Sequence, residues 1–125
     1  MKDYDALRDT NSTDWLDLDE QERIGLVTDY HRKKLIELPN RLVHAAIHTA
    51  VENQLAEGIP EVRDALTRLV GEGLDRHEAI HAIGSVLAES AWTALRPASG
   101  GADLNEVYLE NLRRFSASEW VKKAR

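Results

Sequence analysis

Four of the five histidines in this 125-residue chain fall into two pairs with the same spacing. His44 and His48 form the first pair, and His77 and His81 form the second. Residues four positions apart in an α-helix lie on one face, with their Cβ atoms about 5–6 Å apart, so each pair can direct two imidazoles toward one point. Imidazole nitrogen is a good ligand for zinc, iron, copper and nickel. Two such helices packed together would therefore form a metal site.

Two glutamates accompany the histidine pairs. Glu52 follows His48 by four residues, and Glu78 directly follows His77. The predicted metal ligands are therefore His44, His48, His77, His81, Glu52 and Glu78, and the predicted cofactor is a divalent transition metal ion, zinc or iron before the others. Four imidazoles around one ion would make a closed structural or sensory site. A glutamate ligand together with an open position would permit hydrolytic or redox chemistry.

The second pair also matches the HExxH pattern of zinc peptidases, which predicts a zinc-dependent hydrolase as an alternative. In such enzymes the histidines bind zinc and the glutamate, here Glu78, activates a metal-bound water. A peptidase also needs a third ligand and a substrate cleft, commonly edged by a strand. Glu89 lies too near along the same predicted helix to be that ligand, and the sequence predicts no strand. Metal binding without peptidase activity is therefore favoured, and whether the chain is an enzyme stays open.

A further alternative needs no metal. The histidines can be neutral and hydrogen-bonded to one another, to Glu52 and Glu78, or to Asn53, as a buried polar network in a regulatory or scaffold domain. Such a network could titrate near neutral pH. Two matched pairs favour metal binding over this network, whereas the fifth histidine, His31, taken alone favours ordinary hydrogen bonding. Whether His31 joins the site stays open.

The composition restricts the partners and the compartment. The 16 basic and 22 acidic residues give a net charge of −6, which provides no general attraction to nucleic acid or to anionic lipid. The absence of cysteine excludes thiolate metal sites and disulfides, and it fits a reducing compartment. No apolar run is long enough to span a bilayer, and the first residues lack a signal core. We expect a cytoplasmic protein that binds neither nucleic acid nor membrane.

Apolar periodicity predicts an all-α fold with a four-helix core. The predicted helices cover about residues 17–38, 40–57, 60–72 and 75–95, and a C-terminal helical extension follows them. Their limits come from residues that cap, start or end helices: Asp17 or Asp19, Pro39, Asn40, Gly58, Pro60, Gly71, Gly73, Asp75 and Asp103. The expected parts are an acidic N-terminal arm at 1–16, loosely docked, a helical domain at 17–96, and C-terminal helices at 102–125 that are also a candidate homodimer interface.

The predicted helix faces place the histidines at or near the core. At about 100° per residue, the second helix directs inward an apolar stripe that contains His44 and His48 and has Glu52 at its edge. His31 lies on or beside the inward stripe of the first helix. The other residues expected to face inward or to pack at the edge of the core are Trp15, Ile24, Val27, Tyr30, Leu35, Val62, Ala65, Leu66, Leu69, Val70, Ile80, Ile83, Leu87, Ala91, Trp92, Leu95, Trp120 and Val121. The helix predicted after Asp103 contains Leu104, Val107, Tyr108, Leu112 and Phe115. Histidines inside a core-facing stripe need hydrogen-bond partners or a metal.

These motifs resemble those of a bacterial family. The stretch from Leu38 to Trp92 is similar to the domain-of-unknown-function family 1841 in Leu38-Pro39-Asn40, His44-Ala-Ala-Ile-His48, Val51-Glu52-Asn53-Gln54 and His77-Glu78-Ala79-Ile80-His81. The resemblance covers somewhat under half of the chain. Members have an HxxxH, a glutamate-containing segment and then a second helix with HE and a further His. The resemblance therefore implies that the six predicted ligands belong together, and it implies no particular activity.

Overall fold

The computed structural model describes residues 3–33, 41–96, 100, 101 and 103–124. These residues form helices and no strand: α1 (Ser12–Asp17), α2 (Glu20–Lys33), α3 (Arg41–Ala56), α4 (Pro60–Gly71), α5 (Arg76–Leu95), α6 (Leu104–Arg114) and α7 (Ala117–Ala124). The predicted all-α fold is confirmed. Leu35, Pro39, Asn40 and the expected end of the first helix lie outside the described residues. No helix among the described residues is long and apolar enough to cross a membrane.

Side chains that accept backbone N–H groups set the starts of three helices. Asp19 Oδ1 accepts the N–H of Glu22 at 2.8 Å, and Glu22 Oε1 accepts the N–H of Asp19 at 3.2 Å, which forms a capping box at α2. Asp75 accepts the N–H of Glu78 at 2.7 Å at the start of α5. Asp103 caps α6 through its side chain. The caps predicted at Asp19, Asp75 and Asp103 are confirmed.

Glycine ends α3 and α4. Gly58 has a φ of 74°, and the N–H groups of Gly58 and Ile59 donate to the carbonyls of Leu55 and Gln54 at 3.1 Å each. This is a Schellman motif, which needs a left-handed residue that glycine adopts without a Cβ penalty. Gly73, with a φ of 112°, serves the same purpose after α4. Both were predicted helix terminators.

The first predicted helix differs from the structure at its start. Residues 12–17 form α1, a separate short helix, and α2 begins at Glu20 rather than near residue 17. Leu18 is extended, with φ −79° and ψ 150°, so the chain leaves the helical conformation there. Asn11 caps α1 by accepting the N–H of Asp14 at 3.0 Å. A second cap at Asp19 then starts α2, so the caps Asn11 and Asp19 begin two helices where one was predicted.

The chain divides into two compact units, residues 1–59 and 60–125. In the first unit α3 packs against α1 and α2. Its core cluster consists of Tyr4, Ala6, Trp15, Val27, Tyr30 and Ala45. Because Tyr4 and Ala6 are buried, the expectation of a loosely docked N-terminal arm is wrong for this segment. The limits proposed for the arm, the helical domain and the extension stay a prediction.

Arg23 and Asn53 fasten α1 within the first unit. The indole Nε1 of Trp15 donates to Asn53 Oδ1 at 2.9 Å, and Arg23 Nη1 donates to the same oxygen at 3.2 Å. Arg23 also donates to the carbonyl oxygens of Trp15 and Leu16 at 3.0 Å each. These carbonyls lie in the last turns of α1, where a cation and its N–H groups are favourable. Arg23 thus closes the C-terminal end of α1.

In the second unit α4, α5 and α6 pack on one another, and α7 packs on α5. The buried apolar residues include Val62, Ala65, Leu66, Leu69, Ile80, Ile83, Val86, Tyr108, Leu112 and Phe115, most of which were expected. Val70 and Leu95 were expected inward and Trp92 at the edge of the core, and these three residues and Leu104 are exposed, with Leu95 at 82% and Trp92 at 66%. All four lie in the first or last turn of their helix. The apolar periodicity of the sequence continues into these turns, although the side chains there are exposed.

Candidate metal site

Four histidines are the candidate ligands, and each compact unit contains two of them. His31 and His48 belong to the first unit, and His77 and His81 belong to the second. His31 and His48 are buried, and His77 and His81 are half-buried. Three of these four were predicted ligands, and the fourth is the histidine whose participation the sequence left open. The local structure around each histidine decides which nitrogen it can offer.

His31 lies on α2 and has one ring nitrogen committed to the backbone. Its Nδ1 is 2.8 Å from the carbonyl oxygen of Val27, so Nδ1 carries the proton and donates it, which puts the lone pair on Nε2. Burial lowers the pKa of His31 below its usual value, the bond to Val27 opposes this, and charge on His44 lowers the pKa further. The lowered pKa favours the neutral imidazole, which is the form that binds metal, and the bond to Val27 puts the lone pair of that form on Nε2.

His48 lies on α3 among aromatic rings and one carboxylate. Its ring is perpendicular to that of His31, with the centroids 5.1 Å apart. The hydroxyl oxygen of Tyr4 lies 2.6 Å from His48 Nε2, and the hydroxyl donates to Glu52 Oε2. Glu52 was expected at the edge of the apolar stripe and is 0% exposed. The predicted ligand Glu52 thus has a hydrogen-bond donor within the first unit.

His77 and His81 face each other on α5. Their Nε2 atoms are 3.1 Å apart, and their ring centroids are separated by 4.4 Å. This contact follows from the i, i+4 spacing on one helix face. Two nitrogens bound at about 2.0–2.1 Å to a tetrahedral ion lie about 3.3 Å from each other. The pair therefore has nearly the separation that two ligands of one ion need.

Two predicted ligands make other interactions. His44 is half-buried on α3, and its charge lowers the pKa of His31. Glu78 is exposed, and its Oε1 accepts a hydrogen bond from the indole Nε1 of Trp120 at 3.0 Å. Metal ligation by His44, Glu52 or Glu78 stays a prediction. Sequence reasoning missed Tyr4 because it stands outside any helical period, and its one signal was an aromatic residue in an otherwise polar segment.

A known protein family matches most of the chain. Residues 17–114 match the domain of unknown function DUF1841. The chain belongs to the DUF1841 family. The match extends well beyond the resemblance seen in the sequence, and the DUF1841 region contains all five histidines, Glu52 and Glu78, while Tyr4 precedes it. No curated protein and no solved structure matches the chain.

The DUF1841 histidines are satisfied by protein groups. Among the described residues, every buried side-chain nitrogen and oxygen has a hydrogen-bond partner. A buried imidazole that already has a partner can serve as one member of a polar network, or it can exchange that hydrogen bond for a metal ion. The arrangement therefore supports two functions of different kinds, and only a measurement with metal separates them.

Proposed function

We propose that this DUF1841 protein binds one divalent transition metal ion through His31, His48, His77 and His81. The observation that carries the proposal is the pairing of imidazoles within each unit, with the ring centroids of His31 and His48 5.1 Å apart and the Nε2 atoms of His77 and His81 3.1 Å apart. Imidazole nitrogen suits zinc, iron, copper and nickel and is a poor ligand for magnesium or calcium. Zinc or iron is the proposed ion.

A set of four imidazoles supports a structural or sensory role better than hydrolysis. A tetrahedral ion with four protein ligands has no open position for water, whereas catalytic zinc has three protein ligands and a water. Glu78, the residue that would activate that water in an HExxH enzyme, is bonded to Trp120 instead. The hydrolase alternative therefore has the weaker support.

Elemental analysis of untagged protein purified without added metal tests the proposal. We expect about one equivalent of zinc or iron per chain, as in other four-ligand sites. His31→Ala, His48→Ala and His81→Ala should each lose most of the metal while circular dichroism shows that the helices persist. His44→Ala is the matched control, since it removes a histidine that the proposed ligand set does not include, and it should retain metal.

The second candidate is a metal-free regulatory or scaffold domain with a buried polar network. The complete hydrogen bonding of the buried side chains favours it. Under this function the parent protein takes up neither zinc nor iron after soaking. Its unfolding depends on pH and is not changed by a chelator. The same elemental measurement thus decides between the two candidates.

Location and partners are proposed on sequence grounds. The absence of cysteine and the net charge of −6 support a cytoplasmic protein without a nucleic-acid partner, and the resemblance to a bacterial family supports a bacterial source. Association through the C-terminal helices into a homodimer is a further proposal, and light scattering at several protein concentrations would test it.

A further inference from the structure

Tyr4 brings a phenol into the first unit from outside the DUF1841 region. Its ring lies 5.5 Å from that of Trp15, 5.6 Å from that of Tyr30 and 5.8 Å from that of His48, measured between centroids. This packing holds the side chain in place, with 9% of the residue exposed. The packing of the ring therefore holds the hydroxyl in a fixed position beside His48 and Glu52.

The hydrogen bonds of Tyr4 determine which nitrogen of His48 carries a proton. A phenol has one proton to donate, and Tyr4 donates it to Glu52 Oε2. The 2.6 Å contact between the Tyr4 oxygen and His48 Nε2 must then be an N–H of His48 donating to Tyr4. A neutral imidazole protonated on Nε2 has its lone pair on Nδ1. His48 is thus set to offer Nδ1, as His31 is set to offer Nε2.

We infer that Tyr4 and Glu52 are positioning residues that fix the tautomer and ring orientation of His48 for metal binding. The inference rests on the proposed function, and it assigns Glu52 to the outer shell of the site rather than to the ion. Histidine ligands generally donate their second ring N–H to an oxygen, which orients the ring and raises its basicity as a ligand. Here that oxygen is the Tyr4 phenol, and Glu52 holds the phenol in turn.

The opposite direction of the hydrogen bond between Tyr4 and His48 would give the other tautomer of His48, and the two tautomers can be told apart. If Tyr4 donated to His48 Nε2, the lone pair of Nε2 would be used by the phenol and the ring proton would lie on Nδ1. His48 would then offer neither nitrogen to a metal until its hydrogen bonds rearranged. The tautomer of His48 therefore separates a positioning role for Tyr4 from a purely structural one.

Nitrogen NMR of the imidazoles in metal-free protein tests the tautomer directly. In the parent protein we expect His48 to be protonated on Nε2, and in Tyr4→Phe we expect that preference to be lost. Thr49→Val is the matched control, because it removes a buried hydroxyl of the same helix that donates to the Ala45 carbonyl. It should leave the His48 signals unchanged. A parent His48 protonated on Nδ1 would overturn the inference.

Competition titrations with zinc, and visible spectra with cobalt in its place, test the effect on the site. Loss of an outer-shell partner typically weakens metal binding about 10–100-fold. We expect that loss in Tyr4→Phe and in Glu52→Gln, with a shifted cobalt absorption band at saturation, while Thr49→Val matches the parent. A role in folding alone would lower the melting temperature and leave the band in place.

The possible outcomes separate the two proposals. If the parent binds metal and both Tyr4→Phe and Glu52→Gln bind it equally well with unchanged spectra, the positioning role is overturned and the metal site stands. If the parent binds neither zinc nor cobalt, the proposed function and this inference are overturned together. If Glu52→Gln weakens binding but Tyr4→Phe does not, the positioning role of Tyr4 is overturned.

Discussion

At the scale of single residues, burial holds His31 in its neutral form. Burial is the main cause that lowers its pKa, and the charge of His44 adds to it. In the unfolded chain the pKa returns to about 6.5. Between the two values the unfolded state binds more protons than the folded state, so folding stability rises with pH in that window. His31 therefore contributes its full stability above about pH 6.5 and loses it as the pH falls toward the folded value.

Urea unfolding of metal-free protein at several pH values from about 7.5 down to 5 would measure this effect. The parent should lose stability as the pH falls, and His31→Asn should lose less over the same window. Asparagine has no proton to gain there, and its amide N–H can still donate to the Val27 carbonyl. An identical pH dependence in both proteins would show that His31 does not cause the loss.

Asn53 is a residue whose removal should destabilise the first unit without touching the histidines. Trp15 is fully buried, and its indole N–H donates to Asn53 Oδ1 at 2.9 Å. Asn53→Ala leaves that buried donor without its acceptor, which typically costs about 1–3 kcal/mol. Asn105→Ala, at an exposed position of α6, is the control and should change the free energy of unfolding by less than about 0.5 kcal/mol. Chemical denaturation of both variants measures the difference.

At the scale of elements, two side chains hold the C-terminal helices, Arg68 in α4 and Glu72 in the turn that follows it. Arg68 donates to the carbonyl oxygens of Phe115 and Leu112 at 2.5 and 2.7 Å, at the end of α6. Glu72 Oε1 accepts the N–H of Ala117 at 2.8 Å, at the start of α7. A cation at a helix C-terminus and an anion at a helix N-terminus both match the helix dipole. Polar contacts thus fix the connection between α6 and α7 against α4.

Arg68→Met should loosen α6 and α7 more than it loosens the rest of the second unit. Hydrogen bonds made by a charged group contribute about 1.5–3 kcal/mol each as a rule, and this change removes two. Hydrogen exchange of the α6 and α7 amides should accelerate, while the amides of α5 keep most of their protection. Arg113→Met is the control, since Arg113 is mostly exposed and pairs with Glu110 at the surface. Equal exchange rates in the two variants would contradict the role of Arg68.

The sequence predicted most elements because their signals are local. Asp19, Asp75, Asp103, Gly58 and Gly73 each act within a few residues of their own position, so a pattern along the chain suffices to place helix ends. The docking of the N-terminal segment has no such signal, since it depends on the packing of Tyr4 against residues far away in the chain. Periodicity also failed at helix ends such as Leu95, where exposure depends on whether a neighbouring element reaches that far.

The buried face of α3 shows why the candidate site was only partly predicted. Apolar residues placed the centre of the inward stripe near Val51 and Leu55, with Glu52 at its edge. In the structure Ala45, Thr49 and Glu52 are also buried, so the inward face is rotated toward them. Small residues such as alanine and threonine carry little hydrophobic signal, yet they let neighbouring side chains approach closely. His48 and Glu52 are almost completely buried on this face, whereas His44, in the first turn of α3, is half-buried.

At the scale of the whole molecule, a bound ion should raise the stability of a fold that does not require it. A chain of 125 residues can bury a sufficient core without metal, so we expect the metal-free protein to stay folded. A ligand that binds only the folded state stabilises it by about 2.7 kcal/mol when its free concentration is 100 times its Kd. For a protein of this size that corresponds to a rise in Tm of roughly 10 °C.

Thermal unfolding with zinc, with magnesium and with a chelator tests this expectation for the intact chain. Zinc should raise the Tm of the parent and of Thr49→Val by about the same amount, and His48→Ala should respond far less. Magnesium is the control ion, because it prefers oxygen ligands and should have no effect on a site made of imidazoles. An equal rise in the parent and in His48→Ala would mean that zinc binds elsewhere on the acidic surface. If zinc causes no rise in Tm and unfolding still depends on pH, the buried polar network is favoured instead. The protonation of histidine would then control the stability of the fold.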